Sequence, residues 1–155
     1  MVLTVGRFHA GSTFNVIPEE ALLAGTTRTF DRNIWSSWEK RMEKIIKGVC
    51  EAMGAEYEFK YTRGYPPTVN DEDMVEIARR CAADVVGEEN VFEPEPIMAG
   101  DDMAFFFEKV PGVFFFLGAG IENSAPLHNS RFDFNEDILS KGVETYLRLT
   151  YELLR

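Results

Sequence analysis

Basic residues are in deficit. Lys and Arg total 16 against 26 Asp and Glu, a formal net charge of -10, so a nucleic-acid backbone or an anionic membrane would meet mostly like charge. Neither nucleic acid nor membrane is an expected partner. No apolar run approaches the ~20 residues that a membrane-spanning helix needs. The opening Met1-Val2-Leu3-Thr4-Val5 also lacks the charged-then-apolar layout of a secretion signal, and a cytoplasmic location is expected. Cysteine is scarce: Cys50 and Cys81 are too few for a disulfide framework. Both fall at apolar positions of predicted helices and are expected to be reduced and buried. Low-complexity sequence is missing, and the one internal repetition is a doubled Phe-Phe-Phe. What remains is 155 residues, 45% hydrophobic, enough for one ordinary domain or two small lobes around a real core.

The first lobe reads strand, strand, helix, strand. Met1 leads directly into strand-like VLTVGRF with no N-cap or turn, so the chain is expected to begin mid-fold. EALLAGTTRTF (20–30) alternates as a second strand, with Leu22, Ala24, Thr26, Arg28 and Phe30 on one face. From Asn33 to Met53 apolar residues recur every three or four positions before Gly54, the pattern of an amphipathic helix with a glycine stop. Tyr57, Phe59 and Tyr61 alternate with Glu56, Glu58 and Lys60, which predicts a third strand. An antiparallel sheet covered by a helix suits that order.

Gly64-Tyr65-Pro66-Pro67 marks the boundary, because paired prolines exclude helix and central strand. The second lobe opens with a helix expected to be capped by Asn70, with Asp71, Glu72 and Asp73 in its first turn and Gly87 at its end. Asp101 or Asp102 can cap a short helix carrying the first phenylalanine run. The second run, Val113 to Leu117, is bounded by Pro-Gly and Gly-Ala-Gly and reads as a strand buried on both faces. A final helix runs from Glu136 to about Leu153 after Asn135, so this lobe is α/β.

Ligands of open α/β sheets bind beyond the C-terminal ends of strands, which directs attention to the loop 118–134 and its His128. A lone loop histidine is more often surface polarity than a ligand. Arg28 at a strand end is either a solvated tip or a carboxylate clamp. Asn15 can simply shape a turn, Asp101 and Asp102 can simply cap, and nothing sets His9 apart from a surface histidine. On these grounds alone the chain is a two-lobed acidic protein with a possible cleft.

The whole constellation says more. V-G-x-x-x-x-G-x-x-x-N-V-I-P-E-E-A-x-L-x-G-T-x-R-T-F-D, from Val5 to Asp31, closely resembles the lid of the metal-dependent amidohydrolases that include hippurate hydrolase, N-acyl-amino-acid deacylases and auxin-conjugate hydrolases. AGDDMAFF resembles that family's A-G-E-D-F-A motif, VPGVFFFLGAG its buried strand and exit, and PLHNSRFDFNEDIL its final histidine motif, in the family's order and over nearly the whole chain. Asp101 stands where the family usually has Glu, and Met103 where it has Phe.

The resemblance implies a binuclear site of zinc, manganese or cobalt that activates water against the amide of a small N-acyl amino acid. His128 matches the last metal-ligand histidine, Asn15 and Arg28 match lid residues that grip the substrate, and Gly100 and Asp101 lie in the matched substrate-binding loop. It further implies an α/β plus α+β fold. Residues 1–64 would be a ferredoxin-like lid lacking its first strand and helix, and residues 65–155 the closing part of the catalytic domain. No segment matches the family's first half, which carries the other metal ligands and the general-base glutamate. The chain alone is therefore expected to hold no catalytic base and no tight metal and to be inactive, with that half as its partner. An incomplete lid sheet would also leave an edge open to self-association, making a homo-oligomer expected. The rival expectation is a non-catalytic homodimerisation or small-ligand module built from the lid.

Overall fold

A computed structural model describes residues 1–155, which divide into two compact units, Met1–Thr68 with Ile97–Phe105, and Val69–Pro96 with Phe106–Arg155.

In the first unit, β1 (Val2–Ala10) and β2 (Ala21–Arg28) pair antiparallel, from Val2 opposite Arg28 to Ala10 opposite Ala21, with a register shift between Val5 and Arg7. Glycine is required at position 25, where a β-carbon would collide with the carbonyl oxygen of Thr4. Helix α1 (Arg32–Met53) starts at Asp31, whose carboxylate accepts from the Asn33 and Ile34 amides at 2.7 and 2.9 Å, a cap worth about 1 kcal/mol. It ends at Gly54 in the left-handed conformation (φ 65°), as the glycine stop predicts. No residue of α1 is fully buried.

The expected strand at Glu56–Tyr61 does not form; the sheet has two strands. Alternation supplies two faces, but a strand also needs a neighbour for its backbone groups. This segment is tied by side chains instead. Tyr61 Oη lies 2.9 Å from Thr27 Oγ1, Trp35 Nε1 donates to the Gly64 carbonyl at 3.3 Å, and Arg63 pairs with Glu39 at 2.9 Å while lying over the Trp35 ring.

The second unit is built on α2 (Glu72–Val86) and α4 (Ile138–Leu153). Ala78 and Cys81 of α2 meet Leu149 of α4, with Ile77, Val113 and Phe115 packed against them. Asp71, rather than Asn70, caps α2, accepting from the Met74 amide at 3.1 Å. Asn70 is used elsewhere: its amide accepts from Phe114 N–H at 2.8 Å and donates to Phe114 C=O at 3.0 Å, while Asp71 N–H donates to Gly112 C=O at 3.0 Å. Residues 113–117 therefore form no ladder strand, because a side chain occupies the place of a neighbouring backbone.

Nor are these phenylalanines buried on both faces. Phe115 turns to the helices, contacting Tyr146 at 5.6 Å, whereas Phe114 and Phe116 stack edge-to-face on each other and Phe116 is exposed. The first run forms most of the short α3 (Met103–Phe107), whose buried residue is Ala104, not a phenylalanine. Cys81 is buried, but Cys50 is only half-buried, and both are free thiols. No helix is long and apolar enough to cross a membrane.

Candidate active-site elements

Arg28 is the last residue of β2. Its Nη1 donates to the carbonyl of Met98 at 3.0 Å, a neutral acceptor that orients the guanidinium without neutralising it. Gly100 lies beside this fork. A β-carbon built on it would stand 3.7 Å from Arg28 Nη1 and 3.5 Å from Tyr65 Cδ2. The Tyr65 ring is in turn held edge-on to Phe105, with centroids 6.0 Å apart and planes at 81°. Arg28, Gly100 and Asp101 are thus neighbours in one unit although 70 residues separate Arg28 from Met98.

The side chain of Asp101 accepts from the Met103 amide at 2.9 Å, so its carboxylate holds the start of α3 and helps fix the 97–105 segment that brings Gly100 and Met98 to Arg28. Asn15 lies in the exposed connection between β1 and β2, where its Oδ1 accepts from Thr13 Oγ1 at 3.0 Å. That contact leaves the Asn15 NH2 group free to donate. Nothing in the sequence assigns Tyr65 or the Met98 carbonyl to this cluster. Tyr65 is legible only as part of the proline boundary, and a backbone acceptor has no sequence signature.

His128 belongs to the second unit. Its backbone has φ 68°, a left-handed conformation that costs a residue with a β-carbon about 1 kcal/mol or more and recurs at functional positions. Local bonds hold the turn in place: Asn129 N–H donates to Pro126 C=O at 3.1 Å, Arg131 N–H donates to Asn129 Oδ1 at 2.9 Å, and Ala125 bridges to Phe132. The imidazole itself is exposed. No three His, Cys, Asp or Glu side chains gather closely enough to hold a metal, and His128 stands apart from any second candidate ligand. His9 lies within β1 opposite Leu22.

This geometry can be set beside known proteins. The pattern of peptidase family M20/M25/M40 matches residues 3–152, and the chain belongs to that family. Hippurate hydrolase of Campylobacter jejuni is 32% identical over 155 residues, covering 99% of this chain and 40% of that protein. Thermostable carboxypeptidase 2 of Saccharolobus solfataricus is 32% identical over 146 residues, covering 92% of this chain and 36% of that protein. Among solved structures, the YXEP protein of Bacillus subtilis, described as a dinuclear metal binding peptidase from the M20 family, superposes with a TM-score of 0.83 at 28% identity, over 99% of this chain and 42% of that one. The chain thus spans well under half the length of the proteins it matches.

Proposed function

We propose that this chain serves in the metal-dependent hydrolysis of the amide bond of N-acyl amino acids or related small amides, as part of a larger enzyme. The observation that carries the reading is the Arg28 fork, charged, positioned by the Met98 carbonyl and lying beside Gly100. A planar guanidinium so held takes a carboxylate through two parallel hydrogen bonds. Asn15 lies beyond the Ala10–Ala21 end of the hairpin and Arg28 at the opposite, Val2 end, so within one chain the two do not grip neighbouring groups of one small substrate. In this reading residues 1–64 form the lid, related to a ferredoxin-like sheet, and residues 65–155 the closing part of the catalytic domain.

His128 supplies one neutral nitrogen to a two-metal site of zinc, manganese or cobalt, ions for which imidazole is a suitable ligand. Bound there, the metals would polarise the amide carbonyl and activate water. The remaining ligands and the general base come from outside these residues, and the chain by itself does not turn over substrate. A second reading, a homodimerisation or small-ligand module without catalysis, is favoured by the two open edges of the β1–β2 sheet and by Phe14 and Ile17, which are 99% and 92% exposed in the loop between them.

The test is kinetic, in the enzyme assembled with this segment. Arg28→Lys replaces a bidentate contact and should cost about 1–3 kcal/mol, seen as a raised KM for hippurate. Hippuramide, which has no carboxylate, should lose much less. Equal losses on both would remove Arg28 from the role, and an assembly that binds acyl amino acids but never hydrolyses them would favour the module.

A further inference from the structure

We propose that Tyr61 is a positioning residue for Arg28: its hydroxyl, bonded to Thr27, holds the end of β2 so that the guanidinium stays on the Met98 carbonyl. The proposal rests on the reading of Arg28 as the carboxylate clamp and adds to it what keeps the clamp in place.

Arg28 stands where a ladder is weakest. It is the last residue of β2 and pairs with Val2, the first residue of β1, and the sheet has no third strand to hold it from the other side. Ends of this kind fray at little cost. Successive strand residues point to opposite faces, so Thr27 lies on the face away from the Arg28 side chain. There its Oγ1 is 2.9 Å from Tyr61 Oη, a half-buried contact across 34 residues, and the Tyr61 ring is itself stacked on Phe59 with centroids 6.2 Å apart. The same short segment grips the helix that follows Arg28: Trp35 Nε1 donates to Gly64 C=O at 3.3 Å, and Arg63 pairs with Glu39 at 2.9 Å. Residues 61–64 therefore tie down the chain on both sides of Arg28, before it at Thr27 and after it in α1. The tie at Thr27 is the one adjacent to Arg28 in sequence. Removing it frees the strand end without touching the guanidinium or its acceptor.

Two NMR readings on the 155-residue chain test the role: the Arg28 Nε–Hε resonance, and titration with N-acetylglycine beside its amide, N-acetylglycinamide. Tyr61→Phe deletes a single oxygen atom. It should move the Arg28 resonance toward that of a free, solvated arginine and weaken N-acetylglycine about threefold, within the range that one neutral hydrogen bond is worth, while the amide, which has no carboxylate, binds as before. Thr27→Val, which keeps the branched shape, should do the same, and the double variant should lose no more than either single one. Thr27→Ser, which keeps the hydroxyl, should leave both readings at their wild-type values. An unmoved Arg28 resonance in Tyr61→Phe, or losses that add in the double variant, would refute the positioning role. If Arg28→Lys weakens the acid while Tyr61→Phe does not, the carboxylate clamp stands without Tyr61. If Arg28→Lys leaves the acid unchanged, the clamp fails, and the resonance alone then decides whether Tyr61 holds Arg28.

Discussion

The two units hold themselves together by different means. Around α2 and α4, small residues let the helices approach: Ala78 and Cys81 present little volume, and Leu149 fills the space between them. Even the buried hydroxyl of Thr145 is satisfied within its own helix, donating to Lys141 C=O at 2.8 Å. In the hairpin unit the 22 residues of α1 bury none of their number, and order comes from polar ties of long sequence separation, Arg28 to Met98, Trp35 to Gly64 and Arg63 to Glu39. Each such tie contributes only about 0.5–1.5 kcal/mol net, so none dominates. The residues proposed to face the substrate lie in the unit held by polar ties, where a side chain can be aimed by a carbonyl and released at small cost. The grouped apolar cluster lies in the other, whereas buried Ala104 and the Tyr65–Phe105 ring contact are isolated in this one.

The sharpest way to break that contrast is to remove Leu149. Leu149→Ala should cost about 2–3 kcal/mol, the lower part of the range for a buried leucine because the cluster around it is small. Trp35 and Trp38, the only tryptophans, both sit in α1. Urea unfolding followed by far-UV ellipticity should therefore shift its midpoint while the tryptophan-fluorescence transition stays in place. If the two transitions move together, the units unfold as one and the distinction is lost.

A second test addresses the hairpin. Gly25→Ala drives a methyl into the Thr4 carbonyl and should cost about 1–3 kcal/mol through strand separation. Gly6→Ala meets nothing within 4 Å and should change stability by less than about 0.5 kcal/mol. Thermal unfolding of the pair, read by tryptophan fluorescence, separates the two. Similar losses at both positions would mean that close approach at the ladder is not what matters.

The smallest effect concerns the thiols. Burial first, then the charges of Glu152 and Asp84, raise the Cys81 thiol above its ordinary value of 9.0. A group whose folded pKa is raised stabilises fully below the unfolded value, and that stability is lost as pH rises through the folded one. Stability should accordingly decline above pH 9, and Cys81→Ala should flatten the decline. Half-buried Cys50 should be labelled by a disulfide reagent without denaturant, roughly tenfold faster than Cys81. Equal labelling rates would show that the α2–α4 cluster opens as readily as α1.

The parts of the fold legible in the sequence are those whose signal is local. Gly54 ends α1, the acidic first turn and Gly87 bracket α2, and the helical spacing needs no knowledge of the rest of the chain, although the Asp31 cap of α1 goes unread. Extended segments are different. Glu56–Tyr61 and Val113–Leu117 have strand-like patterns, but being a strand depends on a partner ladder that the segment does not itself encode, and here side chains take its place. The same limit explains the site. At a strand end Arg28 reads as either a solvated tip or a clamp, and only the family resemblance favours the clamp, whereas the Met98 carbonyl that aims it and the Tyr65 ring beside Gly100 come from distant sequence. His128 stood out by its loop, and its left-handed backbone had no counterpart in the residue pattern.

The paired hydrogen bonds from Asn70 to Phe114 also bear on solubility. Val113–Leu117 is an uncharged, proline-free run of strong β-formers, the composition from which intermolecular cross-β stacks grow. In an extended chain the N–H and C=O of one residue point to the same edge, and those of Phe114, together with the Gly112 carbonyl on that edge, are already taken by Asn70 and Asp71. A foreign strand seeking to template there must first displace a side chain that satisfies both groups at once. A single asparagine thus occupies, at Phe114, the edge groups that such pairing would use.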